Sequence, residues 1–218
     1  SEQRLEWSPL PDPYDVFVYP DERFGVPADR SAYRNQLVDR FPGEEEAIDE
    51  YFRELDKAAS WYQRHMMAEA LPGMVRWPID GYNWFTKNYA NRTTRDHLED
   101  LTDNEKLQSL LVTNWGDYGL LPAESSFAVH AVVTSSYFEG AYYPVGGSES
   151  IAESIVPTVE SAGGECLVDH EVEEILVDDG EATGVRVEDP GGTEKLYSAD
   201  RVISDAGAHN TYRDLLSD

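Results

Sequence analysis

The sequence predicts an α+β protein whose helices and strands lie in different parts of the chain. Over residues 1–140, apolar side chains recur every three or four residues, the spacing typical of amphipathic helices. Over residues 141–218, short alternating apolar and polar segments are separated by glycine-rich turns, which indicates strands. We therefore expect two domains, a mostly helical portion at 1–140 and a strand-rich portion at 141–218.

The helical portion begins with a loop and a hairpin. Three prolines among the first fourteen residues predict a loop. In the segment DVFVYPDERFGVP at 15–27, valines alternate with aromatic residues before a Pro-Asp turn and Phe24 and Val26 follow it, which predicts a β-hairpin. Asp29 then occupies the N-cap position of a short helix that ends at Pro42-Gly43, because its carboxylate is able to accept from a free backbone N–H.

The clearest helix follows the acidic run Glu44 to Glu46. Its apolar face comprises Ile48, Tyr51, Phe52, Leu55, Ala59, Tyr62 and Met66. The acidic run suits a helix start, where the helix dipole favours anions. Residues 71–91 are rich in Pro, Gly, Trp and Tyr and predict irregular structure, and shorter helices are expected at 98–101, 107–111 and 125–137.

The strand-rich portion starts with a helix bearing Ile151, Ile155 and Val159 on one face. The glycine pair 163–164 is expected to end that helix. Strands are predicted at 166–168, 172–177, 185–187, 195–197 and 201–204, with a helical tail after Gly207. Cys166, within an apolar segment, is expected to be buried and inert.

Composition excludes several classes of protein. A hydrophobic content of 40% and an aromatic content of 11% exclude a wholly disordered acidic chain. The net charge of −26, from 43 acidic and 17 basic residues, argues against nucleic acid as a partner. Few lysines and a large acidic excess are typical of a protein of a salt-rich, halophile cytoplasm, because molar salt screens repulsion among carboxylates. An ordinary acidic mesophile protein is the alternative.

Motifs for common hydrolytic and metal chemistry are absent from the sequence. It contains no GxSxG nucleophile elbow and no GxxxxGK[ST] phosphate loop. The five histidines show no metal-ligand spacing, and a single cysteine excludes an internal disulfide and a cysteine-based zinc site. We therefore predict no metal, and the catalytic residues stay unknown, with Tyr143 and His130 as guesses from side-chain type alone. No apolar run is long enough to span a membrane, and no leader marks secretion.

Gly146 and Gly147 stand between an aromatic patch and a helix. Without a Cβ, the backbone there is able to approach a flat ring closely, and its N–H groups are available to a polar ligand. A simple tight turn is the alternative explanation.

A resemblance joins these features. The motifs are YPVGG at 143–147, GG at 163–164, VEEI at 172–175, GVRV at 184–187 and VISDAG at 202–207. In this order they resemble the middle of FAD-dependent oxidoreductases of the phytoene desaturase, carotenoid isomerase and retinol saturase-like family. The segment FGVPADRS…EYF at 24–52 also resembles the start of the substrate domain in the retinol saturase-like branch.

The resemblance implies a partial Rossmann-like FAD-binding domain at 141–218 and a substrate domain at 1–140. It places Val172 at the FAD adenine and Ala206 and Gly207 beside the dinucleotide. It also places Gly146 and Gly147 near the flavin ring, with the substrate residues Tyr142, Tyr143 and Pro144. The implied activity is hydride transfer between the flavin and a long apolar polyene, isoprenoid or retinoid-like substrate.

The sequence also departs from this family. The GxGxxG fingerprint that holds the FAD pyrophosphate is absent, as is the family's C-terminal Gly-Asp segment. We therefore expect a fragment of a longer enzyme, inactive in isolation, that binds FAD weakly or not at all. Such a parent would be cytoplasmic, and its lipid-soluble substrate would suit peripheral membrane contact. The alternative is a non-catalytic acidic module that binds a lipid or a protein partner.

Overall fold

The computed structural model describes residues 5–20, 22–85 and 88–216. Within these residues the chain forms two compact units, one of Leu5–Ser148 and one that begins at Glu149. Both helices and strands are present, as the predicted α+β class requires. The boundary lies a few residues after the predicted position of 140/141, because Tyr142–Pro144 form a strand with the start of the first unit.

The first unit is mostly helical. Its strands are β1 Trp7–Pro9, β2 Asp15–Val18, β3 Arg23–Val26 and β4 Tyr142–Pro144. Its longer helices are α1 Arg30–Arg40, α2 Glu45–Glu69, α3 Gly73–Phe85, α5 Thr94–Leu101, α6 Glu105–Leu111 and α8 Phe127–Ser136. Two single-turn helices, α4 Asn88–Asn91 and α7 Trp115–Tyr118, and a 3₁₀ turn, Tyr137–Glu139, also belong to it.

The hairpin and the first helices agree with the sequence pattern. Strands β2 and β3 pair antiparallel, with Phe17 opposite Phe24. Helix α1 begins after Asp29, whose carboxylate accepts from the backbone N–H of Ala32 at 2.7 Å. Local side-chain chemistry therefore sets the start of this helix, as the sequence predicted.

The core of the first unit is built around α2. The side chains of Ile48, Tyr51 and Leu55 are fully buried there, at the predicted spacing of three and four. They pack with residues of α1, α6 and α8, including Leu37 and Phe127. Burial of aliphatic and aromatic side chains of this size is worth about 1.5–3 kcal/mol for each, so this cluster is the main source of the unit's stability.

The prediction of irregular structure at 71–91 is wrong, because helices α3 and α4 occupy most of it. Helix α3 forms in spite of the internal Pro78, which removes one backbone hydrogen bond. Contacts with α2 compensate. The indole N–H of Trp61 donates to the Asn83 carbonyl at 3.2 Å, and the Arg76 guanidinium binds Glu69 of α2 as well as Asp80 of its own helix.

The prediction of a loop over the first fourteen residues is wrong at β1. Trp7 lies opposite Pro144, Ser8 opposite Tyr143 and Pro9 opposite Tyr142. This pairing joins segments more than 130 residues apart, with backbone hydrogen bonds from Val145 to Glu6 and from Leu10 to Ala141, both of 2.8 Å. The local sequence pattern contains no signal for a pairing between such distant segments.

The second unit contains α9 Glu149–Ser161 and three strands, β5 Glu171–Asp178, β6 Glu181–Glu188 and β7 Glu194–Ser198. The strands form an antiparallel sheet in the order β5-β6-β7. A short helix α10 Ala208–Asn210 and a π turn Thr211–Leu215 follow. The strands predicted at 172–177, 185–187 and 195–197 are therefore confirmed, as is the helix that ends before Gly163.

Two predicted strands do not form, and Cys166 is not buried. Residues 166–168 and 201–204 have no strand partner among the described residues. A segment without a neighbour leaves its apolar side chains in solvent, and Ile203 is 97% exposed. Cys166 is exposed for the same reason, which corrects the expectation that it is buried.

Among the described helices, none combines the length and the apolar character needed to cross a membrane.

Candidate functional site

The predicted site residues fall in both units. The aromatic and glycine group, Tyr142, Tyr143, Pro144, Gly146 and Gly147, lies in the first unit, and Val172, Ala206 and Gly207 lie in the second. The first group forms one strand and the turn after it, whereas the second group is divided between β5 and the segment before α10. Each group has its own geometry.

In the first group, β4 displays two tyrosines on a two-stranded ribbon. Tyr142 is 55% exposed and Tyr143 is 52% exposed, while Pro144, the last residue of the strand, is buried. Trp7 on the partner strand is half exposed as well. The ribbon therefore presents aromatic rings that a flat or apolar molecule would cover.

Gly146 and Gly147 form the turn that follows this ribbon. Their φ angles are 95° and 93°, a region that favours glycine. The Gly147 N–H donates to the Pro144 carbonyl at 3.1 Å, so the segment is a hydrogen-bonded turn. The space beside Gly147 is open, because a Cβ built there would meet no atom within 4 Å. The glycine pair therefore forms a tight turn and also leaves room for a flat ring to approach the backbone, so the two interpretations are compatible.

In the second group, Gly207 lies at the edge of an open cleft of about 480 Å³. Strand residues Ile175 and Ala182 form one side of the cleft, and the segment from Val202 to Leu216 forms the other. The φ of Gly207 is 82°, and a Cβ there would meet no atom within 4 Å. A ligand is therefore able to approach this backbone closely.

Val172 and Ala206 do not line this cleft. Val172 pairs with Val187 at the start of β5 and is 40% exposed, so its backbone belongs to the sheet ladder. The Ala206 carbonyl accepts from the Asn210 side-chain amide at 2.9 Å. The cleft therefore lies beside Gly207 and Ile175 and does not reach Val172.

The described lining of the cleft is largely uncharged and combines apolar side chains with a few hydroxyl groups. The hydroxyls of Ser204 and Thr211 are 2.7 Å apart, and Asp205 contributes the one carboxylate among the described lining residues. Neither Lys nor Arg is among those lining residues. The cleft therefore suits hydrogen bonding to hydroxyl or amine groups, and it offers no side-chain cation to a phosphate.

A buried polar network that the sequence analysis missed lies in the first unit. The His130 ring is fully buried, with Nε2 at 2.9 Å from the Tyr51 hydroxyl and Nδ1 at 3.2 Å from the Tyr118 hydroxyl. The Tyr51 hydroxyl donates to the Leu111 carbonyl at 3.0 Å, so it accepts from His130 Nε2–H. Nδ1 then accepts from Tyr118, and all three groups are satisfied.

Burial keeps this histidine neutral. Desolvation, with a smaller effect of His97, lowers the pKa of His130 to about 3. The pKa of Tyr51 is raised, chiefly by burial, so its proton also stays in place near neutral pH. The apolar sequence around residue 130 could have indicated burial, but nothing local indicates a tyrosine 79 residues earlier. The network stabilises the core, and its protonation state is fixed near neutral pH.

Metal chemistry receives no support from the geometry. In the part of the chain that the structure describes, no group of three or more His, Cys, Asp or Glu side chains is placed to hold an ion.

Comparison with known proteins relates the chain to oxidoreductases. An all-trans-retinol 13,14-reductase of Danio rerio is 37% identical over 223 residues, which cover 98% of this chain and 37% of that protein. The human protein of the same name is 31% identical over 99% of this chain and 37% of its own length. A phytoene desaturase (neurosporene-forming) of Cereibacter sphaeroides is 26% identical over 97% of this chain and 40% of its own length.

These relatives confirm the resemblance recognised in the sequence. The chain is homologous to proteins of the retinol reductase and phytoene desaturase group, and it spans 37% of the length of the two reductases. No protein-family model matches the chain.

Proposed function

We propose that the chain is part of a flavin-dependent oxidoreductase that acts by hydride transfer on a long apolar polyene or retinoid-like substrate. The observation that carries this proposal is the similarity to retinol reductases along 98% of the chain. In this proposal the unit that begins at Glu149 is part of a Rossmann-like FAD-binding domain, and Leu5–Ser148 is part of the substrate domain.

FAD, when bound, would supply the hydride acceptor or donor, and the protein would position and shield the reacting groups. The cleft at Gly207 fits one part of this cofactor. Its open backbone and its Ser204 and Thr211 hydroxyls suit a nucleoside, whereas the described lining offers no cation for the diphosphate. Tyr142 and Tyr143 would bind the apolar substrate or the flavin ring through their exposed faces.

The first test compares FAD binding by this chain and by the full product of the reading frame that contains it. The full product should hold FAD with a flavin absorbance spectrum and reduce or desaturate a polyene. This chain alone should bind FAD weakly or not at all, because it lacks the GxGxxG phosphate contact. Tight, saturable binding to the chain alone would refute the predicted weakness. A full product without flavin would favour a non-catalytic module instead.

A second test addresses the cleft in the full-length enzyme. Gly207→Val would place a branched side chain at the cleft and should lower the FAD content of the purified enzyme by tenfold or more, on the order of one lost polar contact. Gly192→Val is the matched control. Gly192 also has a positive φ, of 74°, and open space around it, but it lies in the turn between β6 and β7.

Equal FAD loss in the two variants would mean that backbone strain, and not the cleft, is responsible. That result would remove Gly207 from the proposed cofactor site and leave the oxidoreductase assignment to the activity measurement.

A further inference from the structure

One cavity of the first unit, remote in sequence from the proposed site residues, carries a cation that has no acidic partner among the described residues. It has a volume of about 390 Å³ and is lined by Asp56, Lys57, Ser60, Arg64, Tyr82 and Tyr89. Lys57, Ser60 and Arg64 are spaced by three and four residues along α2, so they lie on one helix face. Nothing in the proposed oxidoreductase activity uses this face.

Two charged side chains of the cavity already have partners. The Asp56 carboxylate receives two hydrogen bonds from the Arg30 guanidinium, of 2.6 and 2.7 Å. The Lys57 ammonium lies 2.6 Å from the Glu54 carboxylate. The charges cancel within each of these two pairs, so neither Asp56 nor Lys57 compensates the third charge of the cavity.

Arg64 is that third charge. Its guanidinium lies over the Tyr82 ring, with 5.2 Å from Cζ to the ring centroid. Its Nε is buried and has no hydrogen-bond acceptor in the described part of the chain, and no carboxylate there forms an ion pair with Arg64. A chain with 43 acidic and 17 basic residues has carboxylates in excess. A half-buried arginine that pairs with none of the described carboxylates is costly unless an anion from outside the chain compensates its charge.

The neighbouring groups suit such an anion. The Ser60 hydroxyl lies one helical turn before Arg64 and lines the same cavity, where it is able to donate a hydrogen bond. The pKa of Tyr89 is raised by burial and by its hydrogen bond to Glu54, so this hydroxyl stays protonated and adds no negative charge. The rings of Tyr82 and Tyr89 line the cavity with aromatic surface.

We propose that this cavity is an oxyanion-binding site in which Arg64 and Ser60 hold a carboxylate or phosphate group. A planar guanidinium binds either group through paired, charge-assisted hydrogen bonds. The site is independent of the proposed flavin chemistry, and it exists in the chain as it stands.

The test is a titration of the ¹⁵N-labelled chain, followed by NMR of the arginine Nε–Hε and backbone N–H signals. The probes are inorganic phosphate, acetate and benzoate, each added at constant ionic strength because salt screens such contacts. We expect saturable shifts at Arg64 and at the Ser60 amide. Tighter phosphate binding would identify a phosphate group as the ligand chemistry, and tighter benzoate binding would identify a carboxylate on a flat apolar body.

Variants of Arg64 test whether its guanidinium binds the anion. Arg64→Gln should weaken binding by tenfold or more, on the order of one charge-assisted hydrogen bond, and Arg64→Lys should restore part of it. Arg95→Gln is the matched control, because Arg95 is an exposed arginine of the same unit without an ion pair among the described residues. Shifts that do not saturate, or that persist at the Ser60 amide in folded Arg64→Gln, would overturn the proposal.

Discussion

At the scale of single residues, the neutral His130 links the stability of the helical unit to pH. Its pKa in the folded protein, about 3, lies far below the value of about 6.5 in an unfolded chain. Between these values the unfolded chain binds more protons, so unfolding becomes more favourable as the pH falls. The stability that neutral His130 contributes is complete above pH 6.5 and is lost towards pH 3.

We expect the free energy of unfolding to fall between pH 7.5 and pH 5.5, and His130→Gln to remove about 1.4 kcal/mol of that fall, the value of one pKa unit. Urea unfolding at the two pH values, followed by circular dichroism, measures it. The control is His209→Gln, which changes an exposed histidine of the other unit and should keep the full pH dependence. Identical pH dependence in His130→Gln would show that burial of this ring does not control acid stability.

Sequence spacing identifies core residues better than it identifies their polar partners. The spacing of Ile48, Tyr51 and Leu55 predicted their burial, because one helix face alone determines which side chains point inwards. The hydrogen bond between the side chains of Tyr51 and His130 depends on how α2 and α8, which are distant in sequence, pack against each other. The same limit applies to the site, since the sequence indicated Gly207 but could not show that Ile175 and Tyr212 line its cleft.

At the scale of elements, helix α1 depends on its N-cap. The Asp29 carboxylate satisfies the Ala32 N–H, which otherwise has no partner within the helix. Asp29→Ala should lower the free energy of unfolding by about 1 kcal/mol, whereas Asp29→Asn keeps an oxygen acceptor and should lower it by much less. Urea unfolding of both variants checks this. Equal losses in both would show that the charge of Asp29, and not its capping hydrogen bond, stabilises α1.

The sequence predicts a helix or strand correctly where local turn and cap residues determine it. It does not where packing against a neighbouring element determines the structure. The hairpin and α1 carry their own turn and cap residues, and they form as predicted. Helix α3 carries Pro78 and two glycines, which favour irregular structure, and packing against α2 overrides them. The apolar segment at 201–204 has the composition of a strand, but among the described residues no strand lies beside it to share backbone hydrogen bonds.

At the scale of the whole molecule, the dominant property is the net charge of −26. Cations are so few that several of them bridge more than one carboxylate. Arg34 contacts Glu45 and Asp49, and Arg186 contacts Glu173, Glu174 and Glu194. The remaining carboxylates repel one another, and this repulsion destabilises the compact state at low salt. We propose on this basis that the protein works in a salt-rich cytoplasm.

The free energy of unfolding should therefore rise between 0.1 and 2 M KCl, because the Debye length falls from about 10 Å to less than about 3 Å. A variant with Glu99→Gln, Asp103→Asn and Glu124→Gln removes three exposed carboxylates that have no ion pair among the described residues. It should be more stable than the parent chain at 0.1 M KCl, by several tenths of a kcal/mol for each charge. Its gain from salt should be correspondingly smaller.

Urea unfolding at both KCl concentrations separates this effect from the general strengthening of apolar burial by salt, which acts equally on both proteins. The same gain from salt in both would mean that apolar burial is responsible. A parent chain whose stability does not change with salt would favour an ordinary acidic protein of low-salt surroundings.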